Sequence, residues 1–175
     1  MSYLPSRPDL LNIAGLLALY PRRGVLLFKV LEDIKDSLSL YDSSLCELII
    51  AYISSLNKSE ACYNNHKRKS MPLGVDESVF NQLETDIETA DVEEKIKAIL
   101  RLVKKLTKAP EQISQADVNA VFAAGWDERT FLDSICLCAV VNCMTRLATG
   151  IGIDKKHPLK QPLAIASSGL ISALH

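Results

Sequence analysis

The chain is short of several things. Aromatic residues make up 6% of its 175 residues, with one tryptophan, and there are seven glycines and seven prolines. That excludes collagen-like and low-complexity classes. Neither charge sign is in excess: 20 Lys+Arg stand against 21 Asp+Glu, a net charge of −1, so no broad electrostatic footprint for nucleic acid is expected. Period-two strand alternation is missing beyond short runs. The longest apolar stretch, Phe131 to Ala148, is interrupted by Asp133, Asn142 and Arg146, and reads as a buried helix rather than a membrane span. Leu10–Leu19 is apolar, but no basic cluster precedes it and Pro21-Arg22-Arg23 follows where a secretory signal would carry small residues. The five cysteines, at 46, 62, 136, 138 and 143, contain no Cys-x-x-Cys pair. An odd number without a signal points to free thiols in a reducing, cytoplasmic setting.

What is present is helical periodicity along most of a chain that is 48% apolar and long enough for one domain with its own core. A first helix is expected over Leu10–Leu19, stopped by Pro21, which can itself open a second through Val25, Phe28, Leu31, Ile34 and Leu38. Asp42 or Ser44 caps a third, with Leu45, Leu48, Ile49, Tyr52, Ile53 and Leu56, ending near Asn57. Ser59 caps a fourth, whose basic end His66-Lys67-Arg68-Lys69 complements its dipole. Asp76 caps a fifth through Phe80, Leu83 and Ile87. Asp91-Val92-Glu93-Glu94 resembles a capping box for a sixth that Ala109-Pro110 stops. Ser114 and Asp117 open a short seventh ending at Gly125, and Asp127 opens the eighth and longest, to Gly150. A weakly helical stretch over Leu163–Leu174 ends the tail. The expectation is an all-α chain in one domain, 1–175, with a core motif at 47–66, a second helical half at 91–153 and a C-terminal tail at 154–175.

Chemistry concentrates between the third and fourth helices. With Ser59 as N-cap, Cys62 is the third helical residue, where unpaired N–H groups and the positive end of the macrodipole favour an anion. His66 follows four residues later on the same face. Glu47, on the preceding helix, can turn back to orient that imidazole, completing a nucleophile, base and orienter. Each residue also has a plainer role. Cys62 can be a small buried hydrophobe, Glu47 the N3 partner of Ser44, and His66 a helix-end cap. Cys136, Cys138 and Cys143, at i, i+2 and i+7, do not converge on a metal and read as core. No metal or cofactor is expected. Asn142 and Arg146 read as satisfying nearby carbonyls or a subunit contact.

The segment ELIIAYISSLNKSEACYNNH, with Glu47-x11-Ser59-x2-Cys62-x3-His66, resembles the alkylhydroperoxidase D core motif of the carboxymuconolactone decarboxylase-like superfamily, Glu-x11-Cys-x2-Cys-x3-His. The KLTKAP, ISQADV, AAGW and NCMTRLATGIGI phrases of Ile99–Ile153 resemble its peroxidase-related group. The resemblance implies an all-α fold, a homo-oligomeric trimer or hexamer, and hydroperoxide reduction by thiols. It gives Cys62 the attacking role and His66 with Glu47 the proton relay. The family's resolving cysteine is Ser59 here, so a disulfide cycle at that pair is impossible and an external thiol reductant would be needed. Glu60 also sets a carboxylate against the helix dipole. The alternative is a non-catalytic helical oligomer that kept the fold and binds a partner or small ligand. A lactone decarboxylase has no pocket signature here. No nucleic acid or membrane partner is expected.

Overall fold

The structure, a computed structural model, describes residues 2–37 and 43–154. All regular structure in them is helical: α1 Ile13–Leu19, α2 Pro21–Ser37, α3 Ser43–Leu56, α4 Glu60–Ser70, α5 Glu77–Thr85, α6 Glu94–Lys108, α7 Gln115–Ala123 and α8 Glu128–Gly150. Single 3₁₀ turns at Met71–Leu73, Ile87–Thr89 and Pro110–Gln112 connect some of them. Leu38, Asp42 and the Leu163–Leu174 stretch lie outside the described residues.

Local chemistry sets most of these boundaries. The Asn12 side chain accepts from Gly15 N (2.8 Å), so α1 begins three residues later than its apolar run. Pro21 opens α2 at a position whose N–H would be unpaired anyway. Gly24 lets the two helices meet at close range: a Cβ there would stand 2.7 Å from the Leu17 carbonyl oxygen. Asp76 caps α5 through Ser78 N (2.7 Å), and Asp127 caps α8 through Thr130 N (2.8 Å). Asp117 reaches back to accept from Ser114 N (2.8 Å) at the start of α7. Gly125, at φ +90, ends that segment in the left-handed region.

Two boundaries differ from the sequence reading, and of the two caps read for α3, Ser44 lies inside the helix, which begins at Ser43, while Asp42 is outside the described residues. Ile87 sits in a 3₁₀ turn, because the Asp86 side chain caps Glu88 N (3.1 Å) and stops α5 short. The Asp91–Glu94 run is not a capping box. Asp91 N donates to Gln82 Oε1 (2.8 Å), Glu93 makes no side-chain cap, and α6 starts at Glu94.

α3 is the axis of the core. All ten residues from Leu45 to Ser54 are buried, and α3 packs against α4, α5, α6 and α8. Ile49, Ile53, Ile99, Leu100, Val103, Val121, Leu137 and Cys138 are wholly buried around it. Each such side chain contributes roughly 1.5–3 kcal/mol by leaving water. α6 shows the opposite pattern, with Ile99, Leu100 and Val103 inward and Lys97, Lys104 and Lys108 outward. The apolarity of α3 is therefore accounted for within the chain and needs no subunit interface.

α8 has the length and composition of a membrane span, but Ser134, Leu137, Cys138, Val141 and Thr145 are buried inside the fold. Its outer side exposes Leu132, Cys143, Arg146 and Leu147. A smaller cluster of Leu10, Leu16, Ala148 and Ile153 joins the N-terminal segment to the end of α8, where Tyr3 N donates to Ile151 O (2.7 Å).

Candidate functional site

The site is made by the turn from α3 to α4. Ser59 N donates to Ser54 O (2.9 Å) and Lys58 N to Ser55 O (2.9 Å), the paired bonds that close a helix when the next residue turns left-handed. That residue is Lys58, at φ +56, the one non-glycine with positive φ among the described residues. The turn is fixed to the rest of the fold from both sides. Asn57 Nδ2 donates to Asn142 Oδ1 (2.9 Å) and Thr145 Oγ1 (3.0 Å), and the Lys108 ammonium donates to the Leu56 carbonyl at the negative end of α3. The chain thus reverses within three residues and α4 runs back along α3.

Reversal brings Glu47 and His66 together. Glu47 Oε2 lies 2.5 Å from His66 Nδ1, and Glu47 Oε1 accepts from Lys35 Nζ (2.6 Å), reached across from α2. The Glu47 side chain is 8% exposed and that of His66 14%. Burial pushes the Glu47 carboxyl up, but hydrogen bonds and charge from His66 and then Lys35 overcome it and bring it down to about 2. For His66, burial acts downward, while the hydrogen bonds and charges of Cys62 and Glu47 outweigh it and raise the imidazole above its ordinary value. The physical result is a buried carboxylate held ionised between two cationic groups, with an imidazole inclined to hold its proton.

Cys62, at the third position of α4, is half-buried, one helical turn before His66, and its sulfur acts on the imidazole in the direction that raises it. With Nδ1 given to Glu47, Nε2 is the nitrogen left to exchange a proton with the sulfur. Ser54 Oγ lies 3.1 Å from Cys62 Sγ and 2.7 Å from Ile50 O, so its single hydroxyl proton can turn from the carbonyl to an anionic sulfur. The other thiols differ. Cys46 is pushed up to about 11 by burial, with Lys35 and Glu47 acting in opposite directions. Cys138 is also raised by burial, against hydrogen bonds from Thr107 and Asn142. Cys143 is exposed, not core as read from the sequence, because it lies on the outer side of α8. Arg146 donates to both oxygens of Asn142, its backbone carbonyl (3.2 Å) and its side chain. Among the described residues no cluster of His, Cys, Asp or Glu has the makings of a metal site.

Ser59, read from the sequence as the position of a missing resolving cysteine, has its side chain turned towards Asp154. It is wholly buried at the N-cap of α4 and makes no capping bond. Its hydroxyl donates to Asp154 Oδ1 (2.6 Å), while Thr149 Oγ1 donates to Asp154 Oδ2 (2.9 Å). Asp154 is itself buried. Lys35, Ser54 and Asp154 were all missed from the sequence. None of the three carries a local signal, since each reaches the site through tertiary contact: Ser54 across the α3–α4 reversal, Lys35 from α2 and Asp154 from beyond α8.

No family model and no curated protein matches the sequence. Solved structures do. An uncharacterized peroxidase-related protein from Silicibacter sp. TM1040 is 21% identical, with a TM-score of 0.69 over 75% of this chain and 69% of the other. A protein of unknown function from Agrobacterium tumefaciens, for which an AhpD antioxidant-defence role has been suggested, is 18% identical, with a TM-score of 0.73 over 83% and 97%. The debrominase Bmp8, solved as a cysteine-to-alanine variant with 2,3,4-tribromopyrrole, is 12% identical, with a TM-score of 0.71 over 90% and 82%. The fold of this chain is that of the AhpD-like helical proteins.

Proposed function

We propose that the protein is a one-cysteine thiol peroxidase of the alkylhydroperoxidase D type, acting through Cys62 with His66 and Glu47 as its proton relay. The reading is supported above all by the hydrogen-bonded chain His66–Glu47–Lys35, which holds an imidazole against a carboxylate kept ionised, one helical turn from the half-buried thiol of Cys62. His66 takes the Cys62 proton as the thiolate forms, and Ser54 is within reach to donate to the sulfur. The thiolate attacks the terminal oxygen of a hydroperoxide. The O–O bond breaks, His66 returns the proton to the leaving alkoxide, and the products are an alcohol and a Cys62 sulfenic acid. Glu47 balances the imidazolium charge during the transfer.

Ser59 cannot resolve that intermediate. A first external thiol attacks the sulfenic sulfur, releasing water and leaving a mixed disulfide, and a second thiol frees Cys62. The cycle therefore draws on a reducing, cytoplasmic thiol pool and turns over more slowly than a paired-cysteine enzyme. Assembly into a homo-oligomer belongs to the same proposal, with the exposed apolar residues of α8 as the surface to be covered. A second reading, a helical protein that kept the fold and lost the cycle, is favoured by one observation: Ser59 is committed to Asp154. Hydroperoxide consumption with an excess of dithiol separates the two. Wild type consuming peroxide above background and Cys62→Ser at background support the peroxidase, whereas equal rates for both refute it.

A further inference from the structure

Lys35 is the least explained member of the site. It stands in the last turn of α2, where an ammonium ordinarily complements the carbonyl end of its own helix. Its Nζ instead crosses to α3 and donates to Glu47 Oε1 (2.6 Å), while Glu47 Oε2 lies 2.5 Å from His66 Nδ1. Both oxygens of one buried carboxylate are thus taken by cationic groups. Ile34, the residue before Lys35, is buried in the core that contains α3, so packing as well as charge holds this end of α2 in place. Few other titratable or charged groups surround the pair. Cys62 acts on His66 from α4, and Cys46, beside Glu47, is a thiol that burial keeps neutral. Lys67, next to His66 in the chain, is turned to Glu77 of α5 (3.0 Å), and Glu32, Asp33 and Asp36 on α2 are exposed.

A carboxylate and an imidazole paired alone in a low-dielectric site hold their proton tightly. An acid that does so is a poor donor to a leaving group. We propose that Lys35 is a positioning residue that loosens the His66 proton, by dividing the charge of Glu47 between two cations so that the proton can be passed on. The ammonium and the imidazolium share one carboxylate and repel each other. His66 therefore lies above its ordinary value, but below the level to which Glu47 alone would lift it. The passing of that proton to a leaving alkoxide rests on the peroxidase reading; the effect of Lys35 on His66 does not.

The His66 imidazole is followed by proton NMR against pH in the Cys62→Ser background, where no coupled thiol titrates with it. Loss of the resonance in His66→Asn distinguishes it from His157 and His175. Lys35→Met, and Lys35→Gln as a second neutral variant, should move the midpoint up by about half a pH unit or more, and Lys35→Arg should leave it in place. A residue that only buttresses the fold gives the opposite sign, because a Glu47 loosened from His66 lets the midpoint fall. In proteins that keep Cys62, the rate with a hydroperoxide is divided by the rate with iodoacetamide at pH 6, which cancels the thiolate fraction common to both. Alkylation needs no proton donor, so this ratio should fall about 3-fold in Lys35→Met. A midpoint that falls or stays in both neutral variants, one that rises equally in Lys35→Arg, or an unchanged ratio overturns the proposal. A wild type that does not react with hydroperoxide refutes the peroxidase reading, and the midpoints alone then decide the role of Lys35.

Discussion

Replacing Ser59 by cysteine should lower stability before it restores any chemistry. The Ser59 hydroxyl is wholly buried and donates at 2.6 Å to a buried carboxylate, Asp154. A hydrogen bond to a charged group contributes about 1.5–3 kcal/mol, and a thiol is a weak donor in its place. Thr149 continues to hold the other carboxylate oxygen. The expected cost of Ser59→Cys is therefore about 2 kcal/mol, or roughly 4–8 °C in Tm for a chain of this size. A double-mutant cycle with Asp154→Asn should give a coupling of about 1 kcal/mol or more. Once free of Asp154, a thiol at 59 lies one helical turn from Cys62, on the order of 5–6 Å, within the range that a disulfide spans. After one equivalent of hydroperoxide, thiol counting should show both sulfurs lost to a reducible bond, and dithiol-dependent turnover should exceed wild type. An unchanged Tm would refute the Asp154 anchor. Oxidation of Cys62 with no bond to position 59 would refute the placement of Ser59 at the resolving position.

Cys62 should alkylate with iodoacetamide at pH 7 faster than exposed Cys143, and Cys46 and Cys138 should react slowest; mass spectrometry of each peptide reads the order, and a Cys62 rate at or below that of Cys143 would count against an activated thiol. Glu47, lowered from 4.5 to about 2, stabilises the fold fully above its unfolded value and loses that contribution as pH falls from about 4.5 towards 2. His66, raised, contributes below its unfolded value and loses that as pH rises through its folded one. Glu47→Gln should flatten both limbs of a stability–pH curve and remove on the order of 3 kcal/mol at pH 6; parallel curves for the two proteins would refute the pairing. Light scattering at micromolar concentration should give a multiple of the 19.3 kDa chain mass, and a mass of one chain would end the oligomer proposal.

The sequence was most readable where structure is local. Asp127 to Gly150 could be drawn correctly because the cap, the apolar run and the terminal glycine are all written within one helix. The spacing of Glu47, Cys62 and His66 likewise lies within one helical hairpin: helical periodicity puts Cys62 and His66 on one face of α4, and the short reversal at Asn57–Ser59 folds Glu47 back to them. Where a short polar side chain has several suitors, local rules mislead. Ser59 has the composition and place of a cap, but its hydroxyl is given to Asp154, and at Asp91 it is the backbone N–H that is taken, by the Gln82 side chain. Lys35 carried no mark at all, since its carboxylate partner is fixed only when α2 crosses α3.

The α3–α4 reversal also sets an order of assembly. Glu47 and His66 are 19 residues apart, so closing their contact costs little chain entropy, and the buried flank of α3 is available to drive it early. Ser59 and Asp154 are 95 residues apart and can meet only after α8 is in place. The hairpin that carries Cys62 is therefore formed before it is anchored.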